Sequence, residues 1–126
     1  MRYIKVIGVV MLNLNGNIKI YLAIGHTDMR KGVHSLSHLA GSVLSEDFCT
    51  GVLFVFRGKR SDRLKILWYD GQGFCMYYKL LDQGKFTWPK SDGCKSVSIT
   101  SAQLSMLLEG IDWRTPVWST PPEYIG

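Results

Sequence analysis

Two runs of strand-forming residues flank a strongly basic segment, and this pattern constrains the fold more than any other part of the sequence. Residues 52–56 and 64–69 are rich in the β-branched, aromatic and aliphatic side chains that favour strands. The basic segment is residues 57–65, which follow the first run and include the start of the second. It has five basic side chains, which are Arg57, Lys59, Arg60, Arg63 and Lys65. Asp62 is its single acid. The pattern predicts a hairpin whose charged loop projects from a sheet.

The residues after this hairpin predict further strands. Residues 70–73 are a turn signal, because their Asp-Gly pair suits the positive φ angles of tight hairpin turns. Residues 74–81 are rich in aromatic side chains and favour a third antiparallel strand with a helical turn at its end, which would complete a meander. The leucines and glycine within 80–84 also fit a helix that ends in a glycine cap. Residues 86–88 and 96–99 are predicted to be short strands.

The amino-terminal half predicts a strand followed by a helix. Residues 18–24 place four aliphatic side chains on one face of a strand. Thr27 or Asp28 can cap a following helix by accepting a hydrogen bond from a free backbone N–H group. From Met29 the apolar residues recur at helical spacing, which predicts a helix that ends near Ser45.

A second helix is predicted near the carboxyl-terminal end, where Thr100 and Gln103 fit a capping box. Its apolar stripe consists of Leu104, Leu107, Leu108 and Ile111. Gly110 suits the position beyond the helix end. Together the elements predict a single α+β domain spanning residues 1–126, in which a small antiparallel sheet with a basic hairpin loop packs against two helices. The proline-containing residues 114–126 are predicted to be an extended or disordered tail.

The composition favours a globular protein with polyanionic partners. The net charge is +5, from 15 Lys and Arg against 10 Asp and Glu, and 46% of the residues are hydrophobic. The three cysteines, Cys49, Cys75 and Cys94, are too widely spaced for a zinc motif and too few for a disulfide framework. No apolar run is long enough to span a bilayer, and the short apolar start lacks a signal-peptide cleavage site. We therefore expect a cytoplasmic protein that does not contact a membrane.

Side chains capable of chemistry do not form a recognisable site. His34 and His38 are one helical turn apart, as in a two-histidine metal site, but no acid matches them as a third ligand, and we interpret them as surface residues. No serine lies in a Gly-x-Ser-x-Gly elbow, and no phosphate-binding glycine loop is present. Most acids lie at turns and caps instead of converging as a two-metal nuclease requires. The sequence therefore predicts no catalytic residue, no metal and no cofactor.

The basic segment is the candidate contact with nucleic acid, because clustered cations can neutralise phosphates. Arg30 and Lys31 form a second basic group, at a predicted helix start where the helix dipole disfavours cations, and would extend the same basic face. The alternative is that the segment is a solvated, charged turn. Tyr77, Trp88 and Trp113 are candidate contacts for a protein partner. The alternative for the tryptophans is a place in the core, since each buries a large area.

Five segments, occurring in a fixed order, carry a resemblance to a known family. They are Gly25–Gly32 (GHTDMRKG), Leu53–Lys65 (LFVFRGKRSDRLK), Leu67–Phe74 (LWYDGQGF), Tyr77–Leu81 (YYKLL) and Leu107–Trp113 (LLEGIDW). From about Met11 to Trp113 the chain resembles the small accessory proteins of bacterial insertion sequence 66 elements. The resemblance implies a role in DNA transposition beside a separate transposase, and it carries over no catalytic residue. It also implies a start near Met11, so residues 1–10 are either an upstream extension or the result of a misplaced start.

Three hypotheses for the function follow. The leading one is a non-enzymatic accessory factor of transposition that binds DNA through the basic hairpin loop and acts with the transposase. The alternative is a protein–protein adaptor that binds the transposase through exposed aromatic side chains and does not contact DNA. The third is a small metal-dependent nuclease.

Overall fold

The computed structural model describes residues 18–44, 51–90 and 93–114. These residues form β1 (Lys19–Ala23), α1 (Val33–Leu44), β2 (Val52–Arg57), β3 (Arg63–Tyr69), β4 (Phe74–Leu80), β5 (Ser96–Ile99) and α2 (Ser101–Leu108). The strands predicted at 18–24, 52–56, 64–69 and 96–99 are confirmed. Residues 74–80 also form a strand, as favoured above, but the helical turn predicted at its end is not present. Predictions for residues 1–10, 115–126 and Cys49 lie outside the described residues.

The described strands form one sheet in the order β4-β3-β2-β1-β5. β2, β3 and β4 are the predicted antiparallel meander, and β5 is antiparallel to β1. β1 and β2 are parallel and are joined through α1, as a crossover between parallel strands requires. The predicted α+β class, a small antiparallel sheet packed against two helices, is confirmed, except that the described strands include one parallel pair, β1 and β2.

The two helices cover opposite faces of the sheet, because alternate strand residues point to opposite sides. The core on the α2 side contains Ile20, Leu22, Leu53, Val55, Leu64, Ile66, Trp68, Phe86, Trp88, Ile99, Leu104, Leu107, Leu108 and Trp113. The core on the α1 side is smaller and contains Ala23, Leu36, Ala40, Phe54, Phe56 and Leu67. Each face of the central strands is therefore buried, which explains why β2 and β3 read as nearly continuous apolar runs.

The second helix follows its sequence signals closely. The Gln103 backbone N–H donates to the Thr100 hydroxyl (3.1 Å), and the Thr100 N–H donates to the Gln103 side chain (2.9 Å), which is the predicted capping box. Gly110, with φ +77°, follows the helix end. Ile111 lies beyond this end and is exposed, so its predicted place in the buried stripe is wrong.

The first helix begins at Val33, and the prediction that it starts after a cap at Thr27 or Asp28 is wrong. The Asp28 carboxylate accepts a hydrogen bond from the Arg30 backbone N–H (2.9 Å), and the Lys31 N–H donates to the Asp28 carbonyl (3.1 Å). These bonds make a separate turn ahead of the helix. Arg30 and Lys31 therefore lie in a loop and not in the first helical turn.

The predicted strand at residues 86–88 is also wrong, because this segment is not assigned to a strand. The Phe86 N–H donates to the Ser61 carbonyl (2.7 Å), and the Trp88 Nε1–H donates to the Ala23 carbonyl (2.7 Å). Both aromatic side chains are buried in the core on the α2 side. The aromatic residues that suggested a strand instead attach a loop to the sheet.

Candidate nucleic-acid interface

The parallel pairing of β1 and β2 brings two loops to one edge of the sheet. Parallel strands end at the same edge, so the loop 24–32 after β1 lies beside the hairpin tip 58–62 after β2. The Thr27 N–H donates to the Arg57 carbonyl (2.8 Å) and joins the two loops directly. The two basic groups of the sequence are therefore on one edge, which sequence spacing alone did not establish.

A cleft of about 390 Å³ lies between these loops. Its lining consists of His26, Thr27, Asp28, Met29, Gly58, Lys59, Arg60, Asp62 and Arg63. Three of the predicted nucleic-acid contacts, Lys59, Arg60 and Arg63, thus share one surface. Asp28 and Asp62 add carboxylates to the same cleft.

The hairpin tip has a tight backbone that places Lys59 and Arg60 outermost. The Ser61 N–H donates to the Gly58 carbonyl (3.0 Å), and Ser61 adopts a left-handed φ of 60°. Both Lys59 and Arg60 are exposed, and neither forms an ion pair within the described residues. These two cations are available to an external anion without breaking an internal contact.

Arg57 is half-buried and bonded within the protein. Its guanidinium donates to the Ile24 carbonyl and to the Ser61 hydroxyl (3.2 Å each) and lies 5.9 Å from the centre of the Trp88 ring. Burial lowers the pKa of Arg57 from its ordinary value. This cation therefore connects the start of the loop 24–32 to the base of the hairpin.

Lys65 is also turned inward, with only 8% of the residue exposed. Its ammonium donates to the Lys31 carbonyl (2.9 Å) and lies 5.3 Å from the centre of the Tyr78 ring. Arg57 and Lys65 thus hold the loop 24–32 near its two ends. We call the loop 24–32 and the hairpin tip 58–62 together the basic edge. Arg57 and Lys65 hold this edge together, whereas the sequence predicts them as DNA contacts.

Arg63 is paired with a neighbouring acid. Its Nε–H donates to the Asp62 carboxylate (3.2 Å), and both side chains are partly buried. The hydrogen bond that Arg63 donates to Asp62 is the main cause that raises the pKa of Arg63 above its ordinary value. Arg63 lines the cleft with much of its charge already balanced.

Arg30 and Lys31 are exposed on the loop beside the cleft. The Arg30 guanidinium contacts the Asp28 carboxylate (2.9 Å) while its side chain stays 92% exposed. Hydrogen bonds from the side chain and backbone of Arg30 lower the pKa of Asp28 to about 2. This ion pair is a surface contact, and the Arg30 guanidinium keeps most of its surface open to solvent.

The aromatic side chains proposed as partner contacts are mostly internal. Trp88 and Trp113 are buried in the core on the α2 side, and their indole N–H groups donate to the carbonyls of Ala23 and Thr87. The expectation that they are exposed is therefore wrong, since each indole fills a hydrophobic site and satisfies its own N–H. Tyr77 is half-buried against the same core.

Within residues 18–44, 51–90 and 93–114, no group of three His, Cys, Asp or Glu side chains is placed to hold a metal ion. His34 and His38 are exposed on α1. Sequence reasoning missed Asp62 as a partner of Arg63 and missed the contribution of Met29 and Gly58 to the cleft. The strand–helix–strand order of β1, α1 and β2 was the available signal, because it is typical of a parallel pair with both following loops at one edge.

None of the helices in the described part of the chain has the length and apolar character that a membrane crossing requires.

Two relatives come from Sinorhizobium fredii, and both carry names that assign no activity. Uncharacterized protein y4hO is 46% identical over 116 residues, which cover 92% of this chain and 100% of that protein. Uncharacterized protein y4jC is 37% identical over 112 residues, which cover 85% of this chain and 94% of that protein. No solved structure matches the chain significantly.

A model of the family described as IS66 Orf2 like protein matches residues 18–117. The match includes both loops of the basic edge, the whole meander and α2. It supports an accessory role in transposition, in agreement with the resemblance identified from the five sequence segments. The chain therefore belongs to the IS66 Orf2-like family of transposition accessory proteins.

Proposed function

We propose that this protein is a non-enzymatic accessory factor that binds the DNA backbone during IS66 transposition and acts with a separate transposase. The observation that carries the proposal is the exposure of Lys59 and Arg60 at the tip of a tight hairpin turn, where neither forms an ion pair with a described carboxylate. Arg30 and Lys31 on the adjacent loop would extend the contact. Such cations attract phosphates and discriminate little between base sequences.

We propose different roles for the cations of the basic edge. Arg57 and Lys65 already donate to backbone carbonyls, so binding DNA through them would break internal hydrogen bonds. Binding DNA through the exposed Lys59 and Arg60 would break no such hydrogen bond within the described residues. We therefore expect the phosphate contacts to be made by the tip, with the inner cations keeping the two loops side by side.

The test is the salt dependence of binding to duplex DNA in three variants, Lys59→Ala, Arg60→Ala and the double variant. Each lost phosphate contact should flatten the slope of log K against log salt by about 0.9, and the double variant by about 1.8. Both element-end DNA and random DNA should lose affinity to a similar extent, because phosphates carry no sequence information.

Lys19→Ala is the matched control, since Lys19 is an exposed cation at the start of β1, the end of that strand opposite the cleft. It lowers the net charge as each single tip variant does but should leave the slope unchanged. An unchanged slope in the double variant, or an equal loss in Lys19→Ala, would reject the tip as the DNA contact.

The partnership with a transposase has a separate test. The two proteins should co-purify, and treatment with a nuclease distinguishes the two ways they could be joined. A complex that survives nuclease would show direct protein contact, while loss of the complex would show that DNA bridges the two proteins. No co-purification in either condition would reject the partnership.

A further inference from the structure

The face of β4 on the α1 side of the sheet keeps three apolar side chains in solvent. Met76, Tyr78 and Leu80 are 37%, 47% and 52% exposed. They alternate along the strand and therefore share one face, and Met76 lies opposite Leu67, which belongs to the core on the α1 side. We call these three side chains the apolar strip. Contiguous apolar side chains in solvent are typical of an interaction surface.

One end of the apolar strip adjoins the hairpin tip of the basic edge. Leu80 lies directly opposite Arg63, and the Leu81 backbone N–H donates to the Asp62 carbonyl (2.8 Å). The pKa of Arg63 is raised first by its hydrogen bond to Asp62 and next by Tyr78, so the phenol of Tyr78 lies close to the Arg63 guanidinium. The strip therefore continues from the basic edge across the face of the sheet.

The Tyr78 ring also lies beside the other loop of the basic edge. Lys65 lies directly opposite Tyr78, with its ammonium 5.3 Å from the centre of the ring. The same ammonium donates to the Lys31 carbonyl (2.9 Å) and forms no ion pair with a carboxylate of the described residues. Arg30 and Lys31 are exposed on this loop. A partly exposed aromatic ring is therefore held next to positive charge.

We propose that Tyr78 stacks on an unpaired base of single-stranded DNA, while the phosphates of that strand lie along the exposed cations of the basic edge. Duplex DNA offers phosphates but keeps its base faces stacked inside, so it would leave the apolar strip in water. An apolar protein surface would cover the strip but would offer nothing to the positive charge beside it. A single strand offers both phosphates and open base faces, which is the combination that a ring bordered by cations fits.

The inference rests on the proposed DNA contact of the hairpin tip and extends it along the face of β4, without using the outer edge of that strand. The experiment compares Tyr78→Leu with Tyr78→Phe. Phenylalanine keeps the ring, whereas leucine keeps an apolar side chain beside Lys65 but cannot stack. Each protein is titrated at one salt concentration with an oligothymidylate strand of about 12 nucleotides and with a duplex.

Tyr78→Leu should weaken binding of the single strand by a factor of about 10 or more and leave duplex binding as in the wild type, because only the unpaired base loses its stacking partner. Tyr78→Phe should bind both forms as the wild type does. Ile111→Ala is the matched control, since Ile111 is an apolar side chain that is 49% exposed and lies outside the sheet, and it should change neither affinity.

A Tyr78→Leu variant that keeps its single-strand affinity, or that loses affinity for both forms equally, would overturn the inference. The contact of the tip with duplex DNA is judged separately by the salt slopes of the Lys59 and Arg60 variants, so it can stand when the stacking fails. A wild-type protein that binds neither form would reject both proposals.

A second measurement needs no variant. Single-stranded DNA that contains iododeoxyuridine is bound to the wild-type protein and irradiated, which joins the halogenated base to an aromatic side chain stacked on it. Peptide mapping should place the crosslink at Tyr78. Crosslinks confined to other residues would overturn the inference.

Discussion

The base and the tip of the basic hairpin contain the same kinds of side chain, and they use them in opposite ways. At the base, Arg57 and Lys65 donate to the carbonyls near the two ends of the neighbouring loop. Lys65 is buried and Arg57 is half-buried. At the tip, Lys59 and Arg60 are exposed and form no ion pair with described residues. The comparison teaches that the position of a cation in a hairpin, and not its charge, decides whether it bonds within the fold or stays exposed to solvent.

The largest effect is expected at the base, for Arg57→Ala. The substitution removes the hydrogen bonds to Ile24 and Ser61 and the contact with the Trp88 ring. We expect the free energy of unfolding to fall by about 2–3 kcal/mol, measured by urea denaturation. A loss within about 0.5 kcal/mol, typical of plain surface positions, would break the comparison.

Lys65→Met sharpens the same contrast, because methionine preserves most of the apolar stem. The loss of the hydrogen bond to the Lys31 carbonyl and of the contact with Tyr78 should cost about 1–2 kcal/mol. Lys59→Met is the matched variant at the tip, and its unfolding free energy should stay within about 0.5 kcal/mol of wild type. Equal effects of the two substitutions would show that burial of Lys65 contributes nothing.

The tip itself should be neutral for stability. The double variant Lys59→Ala, Arg60→Ala should unfold within about 0.5 kcal/mol of wild type, because both side chains are exposed. Its weakened DNA binding, measured in the same preparation, would then be a direct effect. A clearly destabilised double variant would mean that the tip also supports the fold.

The smallest effect concerns the exposed ion pair beside the cleft. The pKa of Asp28 is lowered from 3.8 to about 2, so the charged carboxylate is favoured in the folded state. Because the pKa of Asp28 is lower in the folded state than in the unfolded chain, its ionised carboxylate stabilises the fold. This contribution to stability is present above pH 3.8 and is lost as the pH falls through about 2.

An NMR titration of Asp28 should show this low midpoint. Arg30→Ala should raise it towards 3.8, because the side-chain hydrogen bond from Arg30 is the main cause of the shift. A midpoint that does not move in the variant would show that the pair is not formed in solution.

Most of the architecture could be predicted because local signals and the final structure agree. The period-two and helical apolar patterns located the strands and the helices, and the capping box at Thr100 marked the start of α2. The failures have local causes too. The turn at Asp28 competed with helix capping, and the aromatic residues of 86–88 served the core instead of a strand.

The site was predicted less well than the fold. The basic segment and the group of Arg30 and Lys31 were found from composition, and the structure places both at one edge of the sheet. The division of their cations was not foreseeable, because it depends on which carbonyls lie within reach of each side chain. The exposure of the apolar side chains of Met76, Tyr78 and Leu80 on β4 was likewise not foreseeable, since the same residues would be core if another element covered them.

The sequence by itself determined most of the described elements and the presence of an excess of positive charge, because these depend on spacing and composition along the chain. Only the tertiary structure decided that β1 and β2 run parallel, that two basic loops meet at a cleft, and that β4 is the last of the described strands on its side of the sheet. The physical reason is that exposure and pairing are properties of neighbours in space. Arg57 and Lys59 are two residues apart in sequence, yet one lies over the Trp88 ring and the other is exposed to solvent.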